Sequence, residues 1–172
     1  MEYFAHGGRR RNAGLHTWTF FVDFEGRRAI VLDGGDQPIV LTAVGDASAM
    51  LDRALSDERV WPAIGGMRGA RTSVNELIAL GKKIRGGEWS VEYVKSGDVE
   101  RGVLDTSWVP RMTHPVIAEE EREAFSKSFV NMFLGAMRRG AWETGEEWNE
   151  RFPEYGFMGV EEYLREAWEG GE

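Results

Sequence analysis

The order of apolar and polar positions divides the chain into a strand-rich first half and a helix-rich final third. Residues 17–24 (Thr-Trp-Thr-Phe-Phe-Val-Asp-Phe) concentrate β-branched and aromatic side chains, and 27–32 end in Ala-Ile-Val-Leu. The short Glu25-Gly26 break between them predicts a β-hairpin. Residues 33–38 form a turn cluster of Asp, Gly, Gln and Pro. Residues 39–43 (Ile-Val-Leu-Thr-Ala) read as a third strand, apolar enough to be buried on both faces. Asp46 is placed as the N-cap of a helix to about Leu55, with Ala47, Met50, Leu51 and Ala54 at helical spacing. Residues 61–64 read as a short strand.

Ser73-Val74-Asn75-Glu76 is a capping box, so a helix starts there. Leu77, Leu80 and Ile84 give it an apolar face, and Gly86-Gly87 stop it. Residues 88–94 alternate Trp89, Val91 and Tyr93 against Glu88, Ser90 and Glu92, which is strand period. Residues 119–139 carry Phe125, Phe129, Phe133 and Met137 four apart, an apolar helical stripe with acidic residues at its start and Arg138 and Arg139 at its end. Thr144-Gly145-Glu146-Glu147 reads as a second capping box before a short helix with Trp148 and Phe152. A last helix, residues 160–168, presents Val160, Tyr163, Leu164, Ala167 and Trp168. The fold class expected is α+β: a small mixed sheet with a hairpin and a helical C-terminal third.

Length and composition narrow the reading. The 172 residues suit a single domain spanning 1–172, with residues 1–16 as a loop or frayed start. The 29 acidic against 21 basic side chains leave a net charge of −8, which argues against a nucleic-acid partner. No apolar run approaches the roughly 18 residues of a membrane helix, and the first residues lack a signal-peptide pattern. Zero cysteines exclude thiol chemistry, thiolate metal sites and disulfides from this chain. A cytoplasmic location and no membrane partner are the expectations. The 22 glycines imply many turns, and the seven tryptophans supply large apolar area to a modest core.

Candidate chemistry is sparse. Ile64-Gly65-Gly66-Met67-Arg68-Gly69 precedes the helix capped by Ser73, the setting in which backbone amides cradle phosphate. Its spacing fits neither nucleotide fingerprint, so it reads as a tight connection first and a phosphate site second. Arg9-Arg10-Arg11 reads as a solvated segment, with a phosphate or acidic-partner contact as the alternative. The acidic pairs Asp33/Asp36 and Glu161/Glu162 read as solvated surface. His6, His16 and His114 are too far apart to form a local metal motif, and no metal is expected. The most unusual stretch is 106–115, Thr-Ser-Trp-Val-Pro-Arg-Met-Thr-His-Pro. Two prolines keep it extended, and it carries an indole, a guanidinium and an imidazole. It is either a packed irregular connection or a binding loop. In the second case Trp108 is an apolar wall, Arg111 a substrate contact, and His114 the acid or base.

The chain resembles the NmrA-like family of atypical short-chain dehydrogenases, particularly its fungal, isoflavone-reductase-like members. The pieces that match are residues 37–46, the run Ile64-Gly65-Gly66 leading to 73–78, and the strand at 89–94. In the last third they are Ser107-Trp108-Val109-Pro110, His114-Pro115, Arg139-Gly140-Ala141-Trp142, Glu147-Trp148-Asn149 and Glu161-Glu162-Tyr163-Leu164. The resemblance runs from about Tyr3 to the end and rests on many short blocks in order.

It implies the substrate-binding half of such a protein, without the Rossmann half. That half holds the glycine fingerprint for NAD(P), and the reductases' catalytic lysine lies upstream of the matching region. No cofactor is therefore expected on this chain. The resemblance also places Tyr3 and His16 near the substrate side. Three readings follow. The first is a cofactor-independent isomerase, cyclase or lyase acting on a small apolar metabolite in fungal secondary metabolism. The second is a non-catalytic binding or regulatory module, and the third an inactive truncated reductase. Without the Rossmann half, strand 39–43 is expected to leave an open edge, covered in a homodimer or hetero-complex.

Overall fold

The computed structural model describes residues 1–9 and 15–169. Arg10 and Arg11 of the basic triplet lie outside the described residues. The fold is α+β, as the patterning predicts. Strands β1 (Val22–Asp23) and β2 (Arg28–Leu32) form the hairpin, with Val22 opposite Ala29 and Asp23 opposite Arg28. Asp23 stiffens the turn: Oδ1 accepts the Gly26 N–H at 2.8 Å and Oδ2 accepts Arg28 Nε–H at 2.9 Å.

Strand β3 (Ile39–Leu41) pairs antiparallel with β4 (Ala70–Thr72), a strand the sequence pattern does not announce. On its other side the Val40 N–H donates to the Trp142 carbonyl at 2.8 Å. The edge expected to lie open is thus taken up by β4 and residue 142. Val40 is only half-buried, so this strand is not covered on both faces as expected. Strand β5 (Ser90–Val94) returns parallel to β2, giving a mixed sheet in the order β1-β2-β5. The last four residues of β2 are fully buried, as a central strand requires. The alternation along β5 fails at its end. Tyr93 is exposed and Val94 buried.

Helix α1 (Val44–Leu55) starts two residues before the expected cap. Asp46 lies in its first turn, where its carboxylate accepts the Tyr155 hydroxyl at 2.8 Å and the Met158 N–H at 3.0 Å. The cap comes instead from Glu2, whose Oε1 accepts the Val44 N–H at 2.8 Å. Residues 61–64 are not a strand; Trp61 and Ile64 are exposed in a connection. Helix α2 (Val74–Arg85) has the predicted capping box and ends at Gly86, whose φ of +60° favours glycine. It packs across β1 and β2. A short α3 (Ser96–Glu100) follows β5.

The final third is α4 (Arg122–Arg138), α5 (Glu147–Arg151) and α6 (Val160–Trp168). The Thr144 hydroxyl reaches the Met67 carbonyl, so the second capping box does not form. Helix α6 packs on α2 and on a 3-10 turn at Glu2–Ala5. Within the start read as flexible, residues 2–5 form this turn and are held: Phe4 is buried, and Trp168 Nε1–H donates to its carbonyl at 3.1 Å. No helix among the described residues is long and apolar enough to cross a membrane.

Candidate functional site: an aromatic cavity

Helix α4 buries Ser126, Val130, Leu134 and Met137. The phenylalanine stripe lies one position to the side. Phe125 is exposed, while Phe129 and Phe133 are half-buried and face a hollow. The segment leading into β1 supplies Trp18 and Phe20, and the 3-10 turn supplies Tyr3. The end of β3 adds Val40, Leu41 and Thr42, and the turn after α4 adds Trp142. Together they line a half-open cavity of about 300 Å³, at the lower end of the range for small-molecule sites.

Its wall is ring against ring. Centroids lie 4.7 Å apart for Tyr3 and Trp18, 4.4 Å for Phe129 and Phe133, 5.1 Å for Phe20 and Phe133, and 5.2 Å for Phe133 and Trp142. Edge-on and tilted rings at these spacings interlock, so each ring limits its neighbour's rotation. Trp142 is pinned further by its Nε1–H, which donates to the Phe133 carbonyl at 3.1 Å.

Few polar groups meet this surface. The Thr42 hydroxyl is committed to the protein, donating to the Met67 carbonyl at 3.2 Å and accepting the Gly69 N–H at 3.1 Å. Burial, and then the charge of Glu2, push the Tyr3 phenol above its usual value. At neutral pH it is therefore a donor of a proton or hydrogen bond, not a phenolate. The Met1 α-amine, 3.0 Å from Glu2 Oε2, is pushed below its usual value by burial, against the pull of Glu2.

The residues singled out by sequence divide three ways. Tyr3 lines the cavity. His16 and His114 come together outside it, rings edge-on at 5.6 Å, with His16 Nε2 3.2 Å from Thr113 Oγ1 and His114 Nδ1 accepting the Val116 N–H at 3.3 Å. His16 precedes the cavity residue Trp18 by two positions. Loop 106–115 joins α4 through the Met112 N–H, which donates to Ser126 Oγ at 2.8 Å. Trp108 and Arg111 lie elsewhere. Trp108 packs under the Arg28 guanidinium, 4.2 Å from its ring centre, and Arg111 pairs with Glu119 at the surface. Of the aromatic residues that build the cavity, Phe129 and Phe133 read from the sequence as a core stripe. Their spacing on α4 was the available signal.

The glycine loop at 65–69 does not fit a nucleotide phosphate. The Gly66 N–H donates to Glu147 Oε2 at 2.8 Å, the Arg68 N–H to Asn149 Oδ1 at 2.9 Å, and the Gly69 N–H to Thr42. A carboxylate already sits where an anion would bind. The loop also leads into β4 rather than into the N-terminus of α2. Among the described residues, no group of three or more His, Asp or Glu side chains is placed to hold a metal ion.

No protein-family model matches the chain. Over 149 residues it is 24% identical to a protein named oxidoreductase swnN from the fungus Metarhizium robertsii, an overlap of 86% of this chain and 43% of that protein. The chain is thus similar, along most of its length, to less than half of a fungal oxidoreductase.

Proposed function

We propose that this chain binds a small apolar, ring-bearing metabolite in the aromatic cavity, as an enzyme of fungal secondary metabolism. It acts by proton transfer, in an isomerisation, cyclisation or elimination, with the Tyr3 phenol giving a proton to one atom of the substrate and the resulting phenolate taking one back from a substrate C–H, so that the phenol is restored. The observation that carries this reading is the cavity itself: a hollow walled by mutually locked rings, with a protonated phenol on its lining. Rigid aromatic walls gain apolar contact at small entropic cost, and a fixed acid needs only a substrate held in register. The similarity to a fungal oxidoreductase and the NmrA-like resemblance both support an enzyme lineage of this kind.

The test begins with binding. Titrating 2-naphthol is expected to quench the chain's tryptophan fluorescence saturably, and Phe129→Ala to weaken the ligand about tenfold or more. Unchanged binding in Phe129→Ala would place the ligand elsewhere. Profiling metabolites in a strain lacking the gene then supplies the substrate. With it, Tyr3→Phe is expected to lower turnover about a hundredfold, within the range of general acid catalysis. Equal turnover in Tyr3→Phe, with loss in His114→Ala, would transfer the acid to the histidine pair.

The similarity to a protein named an oxidoreductase favours a second reading, in which the same cavity serves a substrate whose redox chemistry is supplied from elsewhere. NADPH is not expected to bind this chain alone, because the loop amides are already hydrogen-bonded to protein groups. Saturable micromolar binding by calorimetry, abolished by Gly66→Trp, would overturn that expectation.

A further inference from the structure

A second hollow, of about 390 Å³, lies beside the aromatic cavity and is lined by Met132, Ala136, Ala141 and Thr144. The two share three lining residues, Val40, Phe133 and Trp142. Their chemistry differs. The inner one is walled by fixed aromatic rings. The outer one is aliphatic and shallow, and Met132 at its rim is 55% exposed. Small alanine side chains leave width there, and an unbranched thioether adapts to a flexible guest. The shared residues are held in place. Trp142 is tied to α4 through its indole N–H and to β3 through its carbonyl, which accepts the Val40 N–H at 2.8 Å.

We infer that the ligand is bipartite: a rigid ring system in the inner compartment and a flexible aliphatic arm that passes Trp142 into the outer one. The inference rests on the cavity being a ligand site and specifies the class of molecule it takes. The inner hollow is walled by packed rings that suit a rigid, planar guest, whereas the outer one, with its alanines and an adaptable thioether, suits a flexible chain. The outer surface is almost wholly apolar apart from Thr144, so the arm is a hydrocarbon rather than a sugar or a phosphate.

Two probes separate this inference from the reading beneath it: 2-naphthol, and 2-naphthol carrying a linear hexyl chain at position 6. The unaltered chain is expected to bind the hexyl probe at least about tenfold more tightly, as several buried methylenes require. Ala136→Phe fills the outer hollow. It is expected to abolish that advantage and leave naphthol affinity unchanged. Should Ala136→Phe fail to fold, Ala141→Phe on the exposed turn places a ring in the same hollow. If naphthol binds but the hexyl chain adds nothing, or its advantage survives the filling variants, the arm is not held there and the inference falls. If neither probe binds, the cavity reading falls with it.

Discussion

Phe20→Ala is expected to destabilise the protein by about 3–5 kcal/mol, the usual cost of removing a buried aromatic ring from a packed core. Phe20 is 5% exposed, and its ring stands within 6.4 Å, centre to centre, of the rings of Tyr3, Phe4, Phe21, Phe129, Phe133 and Trp142. It therefore belongs both to the core and to the cavity wall. Truncation removes its contacts on every side and merges the new void with the cavity. Urea denaturation measures the loss, with Val60→Ala as the reference, since Val60 is 92% exposed and its truncation is expected to stay within about 0.5 kcal/mol. A Phe20→Ala loss below about 1 kcal/mol would mean that the aromatic cluster is loosely packed. The rigidity assigned to the cavity would then be wrong.

Glu2→Ala is expected to cost about 2–4 kcal/mol, although glutamates at chain ends are usually dispensable. This one is 5% exposed and makes two contacts, one buried and one part-buried. Oε1 takes the Val44 N–H at the start of α1, and Oε2 takes the Met1 amine. Removing the carboxylate leaves the buried Met1 amine without its counter-ion and the first N–H of α1 without its acceptor, and it loosens the turn that carries Tyr3. Glu143→Ala, which breaks an exposed pair with Arg71, is expected to cost well under 1 kcal/mol. Equal losses in the two variants would show that the Glu2 contacts contribute nothing special.

The pH dependence of Glu2 has a defined sign. Burial alone raises its pKa, but the Val44 N–H and then the ammonium charge lower it by more, so the folded value lies below the ordinary 4.5. The stabilisation is therefore complete above about 4.5 and disappears as pH falls through the folded value. The stability gap between the unaltered chain and Glu2→Gln should narrow on acidification below pH 4.5. A gap constant down to pH 3 would contradict this linkage.

Local signals in the sequence were strong where chemistry and geometry are both short-range. Asp23, Gly26 and the flanking β-branched runs specify the hairpin. Ser73 and Glu76 specify the start of α2, and Gly86 its end. The apolar positions of about 160–168 specify α6. Each of these depends on hydrogen bonds or side-chain spacing within a few residues. The α+β class follows from them.

Elsewhere the same kind of signal pointed to the wrong partner. Thr144-Gly145-Glu146-Glu147 has the letters of a capping box, but Glu147 is drawn away to the Gly66 amide, 81 residues distant. Asp46 is likewise committed to Tyr155 and Met158. Local propensity yields where a distant group offers a better hydrogen bond in a drier place. Strand β4 has no apolar alternation to announce it, because its register is set by β3.

The amino-acid order determined that α4 is amphipathic, that the hairpin and five of the six α-helices (all but α3) form, and that no thiol takes part in the chemistry. It did not determine which of two adjacent apolar stripes on α4 faces the core. A period of 3.6 gives the width of an apolar face but not its phase when neighbouring rows are both apolar. Tertiary packing decided that. Val130, Leu134 and Met137 go inside, Phe129 and Phe133 become the wall of a cavity, and Tyr3 reaches it from the opposite end of the sequence. Trp108 goes under the Arg28 guanidinium of the central strand, partly buried against the core, because that packing fixes a ring whose direction an extended loop alone does not set.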